Sequence, residues 1–342
     1  MEGWVSLALM TGAGEAENRV DGVKCIRILH VYEHPVIQIF QGLPMTAFRG
    51  TYTVLITPMT SDALHIDVPA LKKLVNWQIE EGIHGLIPLG STGEFLSLTP
   101  DERQLVIKTC VSTAAKRVPV LIGTGAEWTD ECVRLSREAE TMGADGVMII
   151  PPFYSAPTDD ELFEHYRKVG EAISIPIMVY NNPATANVDL RPELVARLSR
   201  IDNCKYIKES TLDVTRVRDI IDLCGDRMTV FAGILGYESF WLGAQGWVAV
   251  CSNLIPKMSA RLFELVADER DMPAALALYK QMLPIVRWVG GHRYVAASKD
   301  GLSMMGLPVG KPRAPRLPLP DADAADLRRE LARLDLLDSI RS

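Results

Sequence analysis

From residue 51 onward the chain alternates two hydrophobic patterns. Short, nearly continuous apolar runs appear at 53–58 (TVLITP), 84–90 (HGLIPLG), 118–124 (VPVLIGT), 145–150 (DGVMII), 176–180 (PIMVY), 205–209 (KYIKE), 228–233 (MTVFAG) and 246–252 (GWVAVCS). None alternates polar with apolar, which is what a strand covered on both faces of a parallel sheet requires. Longer stretches of helical period lie between them. LTPDERQLVIKTCVSTAAKR offers Thr99 as N-cap, Pro100 at the first helical position, acids in the first turn and bases at the end. APTDDELFEHYRKVGEAIS repeats the arrangement with Thr158 as cap, and a further helix starts at Asp67 and stops at Gly82. Eight strands, each followed by a helix, make a (β/α)8 TIM barrel the expected fold, of class α/β, over residues 47–255. A doubly wound sheet is disfavoured because no GxGxxG follows the first strand; GTGAEW (123–128) is only a βα-loop of small residues. Residues 256–342 continue in helical pattern and are expected to form an appended C-terminal helical region, set off in part by the proline-rich linker PVGKPRAPRLPLP. Residues 1–46 do not join the rhythm and are read as an N-terminal extension of unassigned role.

Composition narrows the class. The chain has 342 residues, 48% hydrophobic and 23% charged, with a net charge of -7. That balance excludes no small-molecule enzyme but argues against a nucleic-acid partner, which needs a basic face. Six scattered cysteines without a CxxC pair read as reduced, partly buried thiols of a cytoplasmic protein. The six histidines form no HxH or HExxH pattern, so no metal site is expected, and His165 in ELFEHYRK is expected at the surface of its helix. No apolar run is long enough for a membrane span, and the first residues lack a basic signal-peptide start.

In such a barrel the chemistry gathers at the carboxyl ends of the strands. The second strand delivers GSTGEF (90–95) there, the fourth PPFY (151–154), the fifth YNNP (180–183) and the sixth Lys208, in YIKES. Each alone is ordinary: a turn, a rim aromatic, a surface lysine. Together they bring Ser91, Thr92, Tyr154, Tyr180 and Lys208 to one face. Successive small residues in the Ser91–Thr92–Gly93 turn can aim backbone N–H groups at a carboxylate. A lysine shielded by a barrel mouth can serve as a nucleophilic amine toward a 2-oxo acid, the imine then acting as an electron sink, and a tyrosine hydroxyl relayed through serine can move the protons.

Three ordered motifs, GSTGEFLSLTPDER, VYNNPATANVDLRPELVARL and YIKES, resemble the dihydrodipicolinate synthase/N-acetylneuraminate lyase family, and the resemblance covers about residues 48–340. It implies that Lys208 forms an imine with pyruvate, that Tyr180 is the hydroxyl acid–base, and that Ser91 and Thr92 hold the pyruvate carboxylate, Ser91 also joining the relay. It implies that Tyr154 reaches a neighbouring subunit's site, that the protein is a homo-oligomer (dimer or tetramer), and that no metal or organic cofactor is needed.

The departures bear on the second substrate. Where the family's synthases carry an arginine that grips the aldehyde's carboxylate, this chain has Thr185, and threonine cannot replace a bidentate clamp. Asn182 stands two residues after Tyr180, and Trp247 opens the eighth strand. That pairing is similar to the hydratase-aldolases of aromatic degradation, in which asparagine would place a water or hydroxyl and an indole could stack on an aryl group. Gly93 and Gly233 complete the substrate-binding candidates. The expected activity is that of a class I pyruvate aldolase or lyase, with an aryl aldehyde as one acceptor. The alternatives are 4-hydroxy-tetrahydrodipicolinate synthase activity, with Arg293 standing in for the missing arginine, a sugar-acid lyase or dehydratase, and a non-catalytic paralogue.

Overall fold

The computed structural model describes residues 48–340; the N-terminal extension therefore lies outside the described residues. Eight parallel strands, β1 (Gly50–Val54), β2 (Gly85–Ile87), β3 (Leu121–Gly123), β4 (Gly146–Ile149), β5 (Ile177–Asn181), β6 (Cys204–Glu209), β7 (Thr229–Ala232) and β8 (Gly246–Ala249), form one sheet in the order β2-β1-β8-β7-β6-β5-β4-β3. A parallel bridge from Leu86 to Val120 brings β2 against β3. The (β/α)8 expectation holds, and every strand run read from the sequence overlaps its strand, though β1 begins three residues ahead of its run, β5 ends one residue beyond its run and β6 begins one residue before its run.

The helices α1 (Val68–Glu80), α2 (Pro100–Ala114), α3 (Thr129–Thr141), α4 (Asp159–Ala172), α5 (Pro192–Leu198), α6 (Thr215–Cys224), α7 (Gly236–Trp241) and α8 (Pro256–Ala267) sheathe the barrel. Thr99 with Glu102, and Thr158 with Glu161, form complete capping boxes at α2 and α4, each worth about 1 kcal/mol. Side-chain parity divides the core. Odd-and-even alternation along the strands sends Tyr52, Met178, Tyr206, Phe231 and Val248 into the barrel, while Ile122, Val179, Ile207 and Val230 join the larger layer beneath the helices. Tyr52 and Phe231 meet edge-on at 5.4 Å between ring centroids. Gly246 makes room for this plug, since a Cβ there would stand 2.2 Å from the Phe231 ring. The barrel is thus filled below, and open space remains at the carboxyl ends of the strands.

Three further helices follow, α9 (Met272–Gly290), α10 (Tyr294–Met304) and α11 (Asp321–Arg333). The proline-rich stretch before α11 is not a linker. Val309 accepts from the Met59 N–H at 2.9 Å, Lys311 accepts from Lys299 Nζ at 3.0 Å, and the Leu319 N–H donates to Asp300 at 2.9 Å. Prolines suit a strap whose backbone partners come from other segments. His165 is also corrected. It is buried with Leu162, Tyr166 and Val169, a spacing that places it on the inward stripe of α4. Its Nδ1 lies 3.0 Å from Thr129 Oγ1, and burial holds its pKa down at about 4. Cys110, Cys132, Cys204, Cys224 and Cys251 are free and buried. Among the described residues, no cluster of His, Cys, Asp or Glu could hold a metal ion, and no helix is long and apolar enough to cross a membrane.

Candidate active site

Strand register assembles the centre of the site. Tyr180 on β5 pairs with Lys208 on β6. Lys208 shares the inward parity of Tyr206, so both side chains enter the barrel mouth. Lys208 Nζ lies 3.8 Å from the Tyr180 ring centroid, and each residue is only 5% exposed. The Asn182 amide donates to Tyr180 Oη at 2.9 Å. The opposite parity builds a brace behind them. Asn181 Nδ2 donates to Glu209 at 3.0 Å and to Asp189 at 3.1 Å, and Arg216 grips Asp189 bidentately at 2.6 Å. Burial pushes the Glu209 carboxyl up, partly offset by the Asn181 and Thr211 hydrogen bonds. The Arg216 hydrogen bonds hold Asp189 below the usual carboxylate range.

The turn after β2 faces this centre. The Gly93 N–H donates to Gly90 and the Glu94 N–H to Ser91, and Thr57 Oγ1 donates to the Gly93 carbonyl at 2.7 Å. Among the described residues the N–H groups of Ser91 and Thr92 find no acceptor, leaving two donors for an anion. Glu94 then takes a left-handed conformation, φ 57°, and sends its carboxylate away into the protein.

A cavity of about 370 Å³ opens above these groups. Of the candidates from the sequence, Ser91, Thr92, Tyr180, Asn182, Thr185, Lys208, Gly233 and Trp247 line it. Gly93 and Tyr154 do not. Tyr154 is 85% exposed, on a loop whose three consecutive N–H groups, from Phe153 to Ser155, donate to the Glu127 carboxylate. Trp247 points out of the barrel, against Gly236 of α7, where a Cβ would meet its ring at 2.4 Å. It is a wall of the cavity and is 2% exposed. Val286 and Val289 of α9 and Tyr294 of α10 form another part of the lining. Asn182 Oδ1, Ser210 Oγ and Trp247 Nε1 are buried around this cavity without a hydrogen-bond partner in the protein.

A smaller cavity of about 160 Å³ shares Ser91, Thr185 and Tyr294 with the first and is also lined by Arg316. Burial pushes the Tyr294 phenol up, partly offset by the nearby Arg316 guanidinium. Arg293 is instead engaged with Asp323. Sequence reasoning missed Ser210, Tyr294, Arg316 and the partners of Glu94. All but Ser210 and Glu94 belong to the region after the barrel, where no motif marked them.

The profile described as the dihydrodipicolinate synthetase family matches residues 47–334. The chain is 35% identical over 293 residues to the 4-hydroxy-tetrahydrodipicolinate synthase of Syntrophobacter fumaroxidans, covering 85% of this chain and 100% of the relative. It is 36% identical to the enzyme of the same name from Nitrobacter hamburgensis, covering 86% and 99%. Among solved structures it resembles the dihydrodipicolinate synthase of Acinetobacter baumannii in complex with pyruvate (TM-score 0.82, 32% identity, 85% and 100% coverage). It likewise resembles that of Aquifex aeolicus (TM-score 0.81, 29% identity, 85% and 99% coverage). The chain belongs to the dihydrodipicolinate synthetase family, whose members are carbon–carbon lyases acting through a Schiff-base lysine.

Proposed function

We propose that Lys208 carries the imine, with pyruvate as donor and an uncharged, aryl aldehyde as acceptor. The observation that carries this reading is the Lys208–Tyr180 contact at 3.8 Å, opening into a cavity walled by Val286, Val289, Ile234 and Trp247. The amine attacks the pyruvate ketone; the carbinolamine loses water to the imine. Loss of a methyl proton gives the enamine, whose carbon attacks the aldehyde, and hydrolysis frees the lysine. Tyr180 Oη, held by Asn182, is the proton carrier, with Ser91 as relay, while the Ser91 and Thr92 N–H groups receive the carboxylate. Thr185 leaves the acceptor side without a clamp on its own loop, and Gly233 gives the acceptor close access to the backbone. The barrel, residues 47–255, carries the chemistry, and residues 256–342 supply part of the cavity wall.

Tyr154 belongs to this scheme in trans. Its exposed ring on a braced loop suits a proton relay offered to a neighbouring copy, which makes a dimer or tetramer the working form. The scheme draws on no cofactor beyond the covalent pyruvate, and a cytoplasmic location suits it.

A second reading is favoured by Arg316. It stands beside Thr185 in the smaller cavity, so an aldehyde bearing a carboxylate, such as aspartate semialdehyde, has a guanidinium within the site. Borohydride trapping with pyruvate, read by intact mass for wild type and Lys208→Ala, tests the imine: one pyruvyl adduct, lost in the variant, is expected. An aldehyde screen then separates the readings. Turnover of aspartate semialdehyde but not of aryl aldehydes would replace the first by the second.

A further inference from the structure

Glu94 lies two residues beyond Thr92, its carboxylate is fully buried, and Lys299 Nζ stands 2.6 Å from Glu94 Oε1 with both side chains 0% exposed. The second oxygen, Oε2, accepts the Arg313 N–H at 2.9 Å. Lys299 also donates to the Lys311 carbonyl at 3.0 Å. An ion pair sealed from water contributes little net stability, because desolvation offsets the attraction. Its position therefore calls for another account. Glu94 and Ser91 line the same smaller cavity, so a bare carboxylate here would share that space with the donor's carboxylate, and like charges close together repel strongly in a dry interior. The Arg313 guanidinium relieves this only in part, since it is largely taken up by Glu102 and by the carbonyls of Ala63, Leu64 and Ser97.

We infer that Lys299 is a positioning residue for pyruvate: by neutralising Glu94 it keeps the Ser91–Thr92–Gly93 turn receptive to a carboxylate while Glu94 anchors that turn to the C-terminal strap. The inference rests on the reading of this turn as the pyruvate carboxylate site. It goes beyond the Lys208, Tyr180 and Ser91 chemistry, because neither Lys299 nor Glu94 touches the reacting atoms.

The sign of the charge supplies the test. Lys299→Met leaves the Glu94 carboxylate unpaired, and the KM for pyruvate rises on the order of tenfold, with kcat at saturating pyruvate changed less than about threefold. Glu94→Gln keeps an acceptor for the Arg313 N–H but leaves an unpaired ammonium, and the pyruvate KM falls. The double variant Glu94→Gln/Lys299→Met returns the KM to within about threefold of wild type. A merely structural pair would instead weaken pyruvate binding in both single variants and lower kcat with it; that result, or an unchanged KM in Lys299→Met, overturns the inference. Should Lys299→Met fail to fold, Glu94→Gln decides alone, a raised pyruvate KM being the overturning result. Borohydride trapping on the wild type keeps the two levels apart. No wild-type adduct removes the pyruvate reading together with the inference, whereas a normal adduct with the wrong KM pattern removes only the inference.

Discussion

Replacing Arg313 with methionine should cost far more than a surface arginine is worth. The guanidinium is half-buried and donates to three backbone carbonyls, Ala63 at 3.0 Å, Leu64 at 2.7 Å and Ser97 at 2.7 Å, as well as to the Glu102 carboxylate at 2.7 Å. The Arg313 and Glu102 side chains are 15% and 16% exposed. Hydrogen bonds to charged groups contribute about 1.5–3 kcal/mol each, and removing one member of a fully buried pair costs about 3–5 kcal/mol. Water can reach part of this site, so the expected loss is about 3 kcal/mol, or a melting temperature lower by roughly 4 °C for a chain of this size. The Arg313 hydrogen bonds hold Glu102 below its ordinary range. A carboxyl whose folded pKa is depressed stabilises the fold above its unfolded value, and the contribution fades as pH falls through the folded value. The gap between wild type and Arg313→Met should accordingly be full at pH 7 and narrow only below the usual glutamate range. Thermal melts followed by circular dichroism across this pH series check both parts. A shift at pH 7 below about 1 °C, or a gap that does not narrow in acid, would refute the reasoning.

Three other outcomes are expected. His165, held neutral with a pKa near 4 against an ordinary 6.5, takes up a proton more readily when unfolded, so stability drops as pH falls from 6.5 toward 4 by up to about 3 kcal/mol; denaturant titrations should show a flatter acid slope in His165→Gln. Gly233→Ala would set a Cβ 1.7 Å from Ser210 Oγ and 3.0 Å from the Glu209 carbonyl, and the displacement beside Lys208 should slow borohydride-trapped imine formation at least about tenfold; an unchanged trapping rate would show that the loop simply yields. Thr185→Arg places a guanidinium where both cavities meet and should raise kcat/KM for carboxylate-bearing aldehydes relative to uncharged ones by at least about tenfold, measured by coupled turnover of the two classes.

The barrel was legible because covered parallel strands leave continuous apolar runs, and the capping boxes at Thr99 and Thr158 mark where helices begin. Lys208 and Tyr180 were legible because they close such runs at the same end and parity does the rest. His165 misled because the acids and bases of ELFEHYRK dominate its neighbourhood, although its spacing from Leu162 and Val169 already put it inward. Lys299 was invisible: a single lysine in AASKDG carries no pattern, and its partner Glu94 is brought to it only by the closed fold. The proline-rich strap misled for a related reason, since its hydrogen bonds run to Met59, Glu94 and Asp300, and tertiary partners leave no periodicity. Trp247 shows the limit of a strand reading, for one position of parity separates a platform in the mouth from a wall behind it.

If the Ser91–Thr92 turn depends on Lys299 as inferred, that dependence also concerns how the protein is made. Translation delivers all eight strands, and both Lys208 and Tyr180, before the ribosome reaches α10 and the strap. A nascent chain at that stage has Lys208 and Tyr180 but not the Glu94–Lys299 ion pair on which the inferred carboxylate turn would rest, and the same holds for a chain lost to premature termination or clipped after α9. Activity at low pyruvate then reports completion of the chain, so fragments ending short of the strap should need on the order of tenfold more pyruvate even where the barrel has closed.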